Sequence, residues 1–223
     1  MSVTYDFHGK TAVVTGAASG IGRATALAFA RSRARIALAD LPVDGLRETA
    51  RLIDAAGGEA LTLTCDVTRE DDIQAAVDRT VERFGRLDAA FNNAGVEQPV
   101  QPAADTAKDD WDRILGVSLT GAVLCTRAQI QQMLQQDGGG AVVNVSSGAG
   151  VKGQAAYAAA KDGISGFTRS AALDHAAQGI PRAFSSCFCG TSASTCQEPL
   201  TQRSTTPRTR GYGSPQMGSE LGV

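Results

Sequence analysis

The stretch TAVVTGAASGIGRATALAFARS, residues 11–32, combines two apolar patterns on either side of a glycine-rich turn. TAVVTG (11–16) is a short apolar run that ends in glycine, and it predicts a buried strand. IGRATALAFARS (21–32) is rich in alanine, the strongest helix former, and predicts a helix. A strand, a tight turn and a helix in this order predict the first unit of an α/β fold.

The same alternation continues along the chain. Further strands are predicted at 34–40, 60–67, 87–95 (a strand followed by a tight turn) and 140–147, and further helices at 45–58, 68–85, around 111–119 and at 155–179. Strands that alternate with helices imply right-handed crossovers and a parallel sheet covered on both faces. The sequence therefore predicts a single Rossmann-type α/β domain, residues 1–180, with a doubly wound parallel sheet. Such sheets bind ligands at the carboxyl ends of their strands.

Residues 181–223 differ in composition from the rest of the chain. They contain neither Lys nor Asp, but hold three of the five cysteines and four of the seven prolines. Apart from a short strand near 183–188, no periodic pattern is sustained, so we expect an atypical, poorly ordered C-terminal segment. The abrupt change favours the hypothesis of a shifted reading frame or an unusual splice. Loss of the last strands of the sheet would leave 141–145 as an exposed apolar edge.

Bulk properties narrow the class of protein. The net charge is −2 without a long basic run, which gives no electrostatic case for nucleic acid as a partner. No apolar run approaches the roughly 20 residues that span a bilayer, so no membrane association is expected. The N-terminus MSVTYDFHGK lacks the apolar core of a signal peptide, and we expect a cytoplasmic protein with free thiols. Cys187, Cys189 and Cys196 match no usual zinc spacing, so no metal is expected.

The glycines of TGAASGIG (15–22) suit a phosphate-binding loop. Gly16, Gly20 and Gly22, with Ser19 and Ile21 between them, join the first strand to the first helix. Glycines allow a tight turn and close approach of the backbone to a pyrophosphate, and the helix N-terminus adds N–H donors and partial positive charge. The alternative is a plain glycine turn without a ligand.

Asp40 ends the second predicted strand, 18 residues after Gly22. A carboxylate at this point can accept hydrogen bonds from the ribose hydroxyls of adenosine, and it would repel a 2′-phosphate. The position therefore favours NAD as the cofactor, with NADP less favoured. The alternative is a solvated aspartate at a strand end.

Tyr157 and Lys161 are spaced i, i+4 and would share one face of a helix. A tyrosine of pKa about 10 is a weak base at neutral pH, but a nearby ammonium favours the phenolate. Tyr157 is therefore the candidate general acid/base and Lys161 its partner; the alternative is an exposed pair of helix residues. Ser147, at the end of the preceding strand, is the candidate for a serine that bonds the substrate oxygen. Ser146 would point to the opposite side if the strand continues that far, and the alternative is that these serines only satisfy local backbone groups.

Four motifs stand together in the order of one family. TGAASGIG, CDV (65–67), NNAG (92–95) and YAAAK (157–161) make residues 8–180 resemble classical short-chain dehydrogenases/reductases. The resemblance implies a nicotinamide cofactor and hydride transfer between an alcohol and a carbonyl. It implies adenine contacts from Asp66 and Val67, cofactor contacts from the NNAG residues Asn93, Ala94 and Gly95, and a ribose contact from Lys161. It also implies a homodimer or homotetramer formed through helices such as those at 105–135 and 155–177.

Three departures from that family favour an alternative. Ser118 stands where the family usually has an asparagine that supports a proton relay, and Ser147 and Tyr157 are only ten residues apart, fewer than is usual. The segment after residue 180 also lacks the expected strand, Pro-Gly turn and substrate loop. The leading hypothesis is an NAD-dependent dehydrogenase/reductase of a small-molecule alcohol or ketone. The alternative is a catalytically impaired NAD-binding protein with a disrupted substrate pocket.

Overall fold

A computed structural model describes residues 5–147, 153–178 and 185–188. The strands are β1 (Thr11–Thr15), β2 (Arg35–Asp40), β3 (Glu59–Thr64), β4 (Ala89–Asn92), β5 (Ala141–Ser146) and β6 (Ser185–Phe188). The helices are α1 (Gly20–Arg31), α2 (Val43–Ala55), α3 (Glu70–Phe84), α4 (Lys108–Leu115), α5 (Gly121–Leu134) and α6 (Ala155–His175). Short 3-10 turns occur at Ala103–Asp105 and Ala176–Gln178. Within these ranges no helix is long and apolar enough to cross a membrane.

The six strands form one parallel sheet in the order β3-β2-β1-β4-β5-β6. From β1 the chain adds β2 and β3 towards one edge, then returns to place β4 on the other side of β1. The strand order therefore reverses between β1 and β4. The crevice outside the carboxyl ends of these two strands is the position where doubly wound sheets bind ligands. The predicted fold class is confirmed.

The core has two layers because side chains alternate across the sheet. On β1, Val13 faces a cluster that includes residues of α3 and α5, whereas Val14 faces a second cluster with residues of α1 and α2. Every residue of β1 is buried, as expected for a parallel strand covered on both faces. This double cover holds the carboxyl end of β1, and the glycine loop that follows it, in a fixed position.

The helical region predicted around residues 111–119 consists of three segments. Between α4 and α5 the backbone forms a π-helical turn, Gly116–Thr120, which the sequence pattern does not reveal. At the start of α5, a Cβ on Gly121 would lie 2.8 Å from Cγ2 of Val67. The helix can therefore approach the CDV motif closely only because this residue is a glycine. π-helical turns such as Gly116–Thr120 are frequent at functional sites.

The expectation of an exposed edge at 141–145 is wrong. The backbone of β6 pairs in parallel with β5, from Val143 opposite Ser185 to Ser146 opposite Phe188. β6 coincides with the short strand predicted near 183–188. Val143 and Asn144 of β5 are thus paired on both sides, with β4 and with β6. The remainder of the segment 181–223, including the predicted disorder, lies outside the described residues.

Asp88 anchors the amino-terminal end of the sheet and provides the first testable prediction. Its carboxylate accepts hydrogen bonds from the Thr11 amide (3.0 Å), Lys10 Nζ (3.0 Å) and Arg86 Nε (2.8 Å). Burial alone would raise the pKa of Asp88, but the Arg86 guanidinium, the Thr11 amide and the Lys10 ammonium together hold it below the ordinary value of 3.8. A carboxyl whose folded pKa is lowered stabilises the fold above its unfolded pKa, and this contribution is lost as pH falls through the folded pKa.

We therefore expect Asp88→Asn to lower the free energy of unfolding at pH 7 by about 1–3 kcal/mol, the usual worth of hydrogen bonds to a charged group. The deficit should shrink as pH falls below about 4, where the wild-type carboxyl becomes protonated too. Urea unfolding between pH 7 and pH 3 measures it. Asp44→Asn is the control, because the Asp44–Arg47 pair is exposed and contributes little. A deficit independent of pH would contradict the assignment.

Candidate active site

The glycine loop between β1 and α1 is shaped by close backbone approaches. Gly16 has φ +67°, and a Cβ there would lie 2.7 Å from Nδ2 of Asn93. A Cβ on Gly22 would lie only 2.0 Å from the carbonyl oxygen of Gly16. The loop therefore folds back onto the first turn of α1 in a way that no side chain permits. Ser19 precedes the helix without a side-chain capping bond, so the first amides of α1 face the loop as donors.

Asp40 at the end of β2 is joined to this loop. Its Oδ2 accepts a hydrogen bond from the Ala18 amide (2.9 Å), and its Oδ1 accepts one from the Leu41 amide (2.8 Å). One carboxylate thus ties the glycine loop to the carboxyl end of the neighbouring strand.

Asn93 and its neighbours close the loop from the side of β4. Thr15 Oγ1 accepts hydrogen bonds from the Asn93 amide (3.0 Å) and the Ala94 amide (3.1 Å). Asn93 Nδ2 donates to the carbonyl oxygen of Thr15 (3.3 Å). The preceding residue, Asn92, is buried and bonds Gln129 and other polar side chains inside the sheet layer. Asn93 therefore ties the end of β4 to the end of β1, and Asn92 adds bonds in the interior between the sheet and α5.

A cavity of about 590 Å³ lies at this carboxyl edge of the sheet. Its lining includes ten of the predicted cofactor residues: Gly16, Ser19, Gly20, Ile21, Asp40, Asp66, Val67, Asn93, Ala94 and Gly95. Gly22 lies behind the loop in the first turn of α1. The tertiary structure thus brings four separate segments of the sequence to one opening.

Two of the titratable residues that line this cavity, Asp66 and Cys65, have pKa values that are shifted in opposite directions. The amide and hydroxyl of Thr68 donate to Asp66 and lower the pKa of its carboxyl. Burial, together with the negative charges of Asp72 and other carboxylates, raises the pKa of the Cys65 thiol to about 11. At neutral pH, Cys65 is therefore a neutral wall residue and not a nucleophile.

Lys161 lies on α6 beside Tyr157, as their spacing predicts. The Lys161 side chain is buried, its Nζ donates to the carbonyl oxygen of Val145 (2.9 Å), and it lies 5.5 Å from the centroid of the Tyr157 ring. Nζ is also 3.6 Å from the point that a Cβ on Gly95 would occupy, which places the ammonium next to the cavity wall. The Lys161 ammonium and the Tyr157 ring thus lie side by side on α6.

The two serines at the end of β5 occupy different environments. Ser146 is buried, and its hydroxyl contacts the Lys161 carbonyl oxygen (2.7 Å) and the Ser165 hydroxyl (2.8 Å). Its oxygen is therefore engaged inside the contact between β5 and α6. Ser147 is only half-buried. The short connection between Ser147 and Tyr157 includes residues 148–152, which are outside the described part of the chain.

Ser118 lies in the π-helical turn, and its hydroxyl acts both as a hydrogen-bond acceptor and as a donor. Its Oγ accepts a hydrogen bond from the Val96 amide (3.0 Å) and donates to the Val96 carbonyl oxygen (3.1 Å). Both bonds go to Val96, and they fix the backbone that follows the NNAG motif.

Sequence reasoning missed two polar side chains that brace the site. Arg23 donates from Nε to Thr49 Oγ1 (3.0 Å) and from Nη2 to the Ala18 carbonyl oxygen. It thereby links the glycine loop to α2. Gln98 is buried beside the first turn of α6 and accepts a hydrogen bond from the Ala156 amide (3.0 Å). Neither residue stands in a spacing that signals its role, because each acts on an element distant in sequence.

The comparisons with known proteins agree with this geometry. A family model described as short chain dehydrogenase matches residues 10–203. The short chain dehydrogenase/reductase astE from Aspergillus oryzae is 42% identical over 180 residues, covering 79% of this chain and 69% of the relative. Cis-4-hydroxycyclohexanecarboxylate dehydrogenase from Sinomonas cyclohexanicum is 43% identical over 177 residues, covering 78% and 70%.

Solved structures show the same likeness. NAD+-bound xylitol dehydrogenase superposes with a TM-score of 0.75 at 39% identity, covering 77% of this chain and 67% of that chain. A short-chain type dehydrogenase/reductase from Mycobacterium marinum gives a TM-score of 0.76 at 31% identity, covering 79% and 73%. With its parallel sheet, glycine loop and ordered motifs, the chain belongs to the short chain dehydrogenase family of oxidoreductases.

Proposed function

We propose that the protein is an NAD-dependent dehydrogenase/reductase that interconverts a small-molecule alcohol and its carbonyl compound. The observation that carries the proposal is the cavity at the carboxyl edge of the sheet. Its lining combines the glycine loop with a carboxylate at the end of β2, and the ammonium of Lys161, the partner of Tyr157 on α6, lies next to Gly95 of its wall. No hydrolytic or metal-dependent chemistry needs this combination.

The residues present fit a dinucleotide. The first amides of α1 and the loop backbone, which Gly16 and Gly22 allow to pack closely, would hold the pyrophosphate. Asp40 would accept hydrogen bonds from the adenosine ribose, and Asp66 and Val67 would border the adenine. Asn93, Ala94 and Gly95 would line the path towards the nicotinamide, and Lys161 would bind its ribose. Bound NAD would supply the hydride acceptor or donor.

The proton moves at Tyr157. In alcohol oxidation its phenolate takes the proton of the substrate hydroxyl, and in carbonyl reduction its phenol returns that proton to the substrate oxygen. The Lys161 ammonium, 5.5 Å from the ring centroid, would favour the phenolate over the neutral phenol. The carbon–hydrogen bond that breaks in oxidation is on the carbon bearing the hydroxyl.

Ser147 would orient the substrate by a hydrogen bond to the reacting oxygen. The engagement of the Ser146 hydroxyl with Lys161 and Ser165 supports the choice of Ser147. Ser118 would act indirectly through the Val96 backbone. The substrate class is a secondary alcohol or ketone small enough to enter beside these residues.

Titration with NADH and NADPH, followed by a panel of alcohols and ketones at 340 nm, tests the proposal. We expect saturable binding with preference for NADH and turnover on at least one member of the panel. Tight binding without turnover on a broad panel would favour the alternative, a catalytically impaired NAD-binding protein. Absence of binding for either nucleotide would refute both hypotheses.

Asp40→Asn tests the preference for NAD. The amide oxygen can still accept a hydrogen bond from the Ala18 amide, but the negative charge is removed. We expect NADH affinity to fall about tenfold, the worth of a hydrogen bond to a charged group, and NADPH affinity to rise. The ratio of the two dissociation constants is the measurement. Asp44→Asn, an exposed carboxylate on α2, is the matched control and should leave the ratio unchanged. An unchanged ratio in Asp40→Asn would show that Asp40 does not select the cofactor.

A further inference from the structure

The first turn of α6 needs acceptors from outside the helix. The first amides of any helix have no carbonyl partner within it, and buried amides without a partner are costly. In α6 the residue that precedes the helix, Gln154, makes no side-chain capping bond. Ala156, at the second position of the helix, is fully buried, so its amide cannot rely on water.

Gln98 supplies the missing acceptor from a distant part of the chain. Its Oε1 accepts hydrogen bonds from the Ala156 amide (3.0 Å) and the Tyr157 amide (3.3 Å). Its Nε2 donates to the Gly153 carbonyl oxygen (3.4 Å), just before the helix. The Gln98 side chain is 5% exposed, so these bonds are shielded from water. A glutamine thus performs the role that a Ser, Thr or Asp usually plays next to its own helix.

The segment around Gln98 is packed too closely against the helix start to be an incidental neighbour. The Gln101 amide donates to the same Gly153 carbonyl oxygen (2.9 Å). Gly153 has φ +82°, and a Cβ on it would lie 2.7 Å from Cγ1 of Val100. The chain leading into α6 and the segment 98–101 therefore fix one another in position.

The same segment continues directly from the cofactor cavity. Val96 and Glu97 line the cavity, and Ser118 holds Val96 at both its amide and its carbonyl group. Gln98 follows immediately along the chain. The backbone of residues 96–98 and the Gln98 side chain therefore link the cavity wall to the amide of Tyr157. One turn further along α6, Lys161 Nζ donates a hydrogen bond to the Val145 carbonyl oxygen.

We propose that Gln98 is a positioning residue for Tyr157, capping α6 so that the phenol is held beside Lys161 and the cofactor cavity. The inference rests on the proposed function for the role of Tyr157. The cap acts through the helix and does not touch the reacting atoms. Loss of the acceptor should let the first turn of α6 fray and displace the hydroxyl, and small displacements of a reacting group cost up to about a hundredfold in rate.

Three variants of the full chain test the proposal. Gln98→Met keeps the length of the side chain but removes both hydrogen-bonding groups. Gln98→Glu keeps an oxygen acceptor for the two amides, and its negative charge suits a helix N-terminus, although it loses the Nε2 donor to the Gly153 carbonyl oxygen. Gln101→Met is the matched control three residues along the same segment. Its side-chain Nε2 is buried and makes no hydrogen bond with the described residues, so its removal should cost nothing.

Two measurements do not depend on turnover. Amide hydrogen exchange, resolved by NMR, reports the cap directly: in Gln98→Met the Ala156 and Tyr157 amides should exchange about five- to tenfold faster, as expected for loss of a cap. Amides deeper in α6 should be unaffected. The chain contains only three tyrosines, so ring-labelled tyrosine spectra, assigned with Tyr157→Phe, show whether the Tyr157 ring moves.

The kinetic measurement separates positioning from general damage. We expect Gln98→Met to lower kcat by about ten- to a hundredfold with an unchanged dissociation constant for NADH. Gln98→Glu should restore the amide protection and most of kcat, and Gln101→Met should resemble the wild type. A parallel loss of NADH binding in Gln98→Met would indicate collapse of the site and contradict the proposal.

The outcomes distinguish this inference from the proposed function. If the wild type turns over no substrate, the proposed activity fails, while amide exchange and the Tyr157 ring signal still decide whether Gln98 positions that residue. Fast exchange of the two amides in the wild type would overturn the cap, and this holds even if Gln98→Met does not fold. Slow exchange that depends on Gln98, with the Tyr157 ring signal unchanged, would overturn the positioning role.

Discussion

Tyr157→Phe is expected to lower kcat by about a thousandfold, within the range that positioned acid/base groups contribute. Phenylalanine keeps the ring beside Lys161 but has no hydroxyl to exchange a proton with the substrate. The dissociation constant for NADH should change by less than about threefold, under 1 kcal/mol, because the glycine loop and Asp40 are untouched. Initial-rate assays at 340 nm on the best substrate of the panel measure kcat, and fluorescence titration measures the dissociation constant for NADH.

Tyr5→Phe is the matched control for this experiment. Tyr5 is 66% exposed and is not among the residues that line the cavity. It should show wild-type kcat. Retention of turnover in Tyr157→Phe would mean that another group transfers the proton, and the acid/base assignment would fail. A large loss of NADH affinity would instead assign Tyr157 mainly to binding.

Gly22→Ala is expected to abolish useful cofactor binding and to destabilise the protein. The added Cβ would lie 2.0 Å from the Gly16 carbonyl oxygen and 2.9 Å from Asn93 Nδ2, so the loop must move. We expect the free energy of unfolding to fall by about 1–3 kcal/mol, the usual cost of overpacking. The dissociation constant for NADH should rise at least about a hundredfold, because the loop amides no longer converge on one anion.

Gly166→Ala provides the control for the same substitution at an uncrowded site. Gly166 lies within α6, and a Cβ there would meet no atom within 4 Å. Alanine should therefore stabilise the helix by about 1 kcal/mol and leave NADH binding unchanged. Thermal unfolding and NADH titration of both variants give the comparison. Equal behaviour of the two variants would show that the close approach at Gly22 is not a constraint.

The fold and much of the site could be predicted because their signals are local. The apolar run ending at Gly16, the helix that follows it and the terminal aspartate of β2 each depend on residues within a few positions. A parallel sheet then necessarily brings the carboxyl ends of its strands to one edge. Asp40 could thus be placed at this edge from local signals, whereas Asp66 and Asn93 were assigned to the cofactor by the resemblance to the family.

The details that decide how the site is held depend on partners far apart in sequence. Ser118 contacts Val96, and Gln98 caps a helix that begins 57 positions later at Ala155. A hydroxyl or an amide makes only a few bonds, and no periodicity in the sequence reveals their partners. The pairing of β5 with β6 is of the same kind, because a strand of four residues carries little signal by itself.

The sequence by itself determined the fold class, the family resemblance and the residue types that a dinucleotide and a proton transfer require. It could do so because backbone periodicity and glycine spacing follow from local sterics. Only the tertiary structure decided that Asn92 bonds Gln129 in the interior and that the Ser146 hydroxyl bonds the backbone of α6. It also decided that Gln98 accepts a hydrogen bond from the amide of Tyr157. These outcomes depend on the burial of polar groups, each of which must find a partner wherever the fold places one.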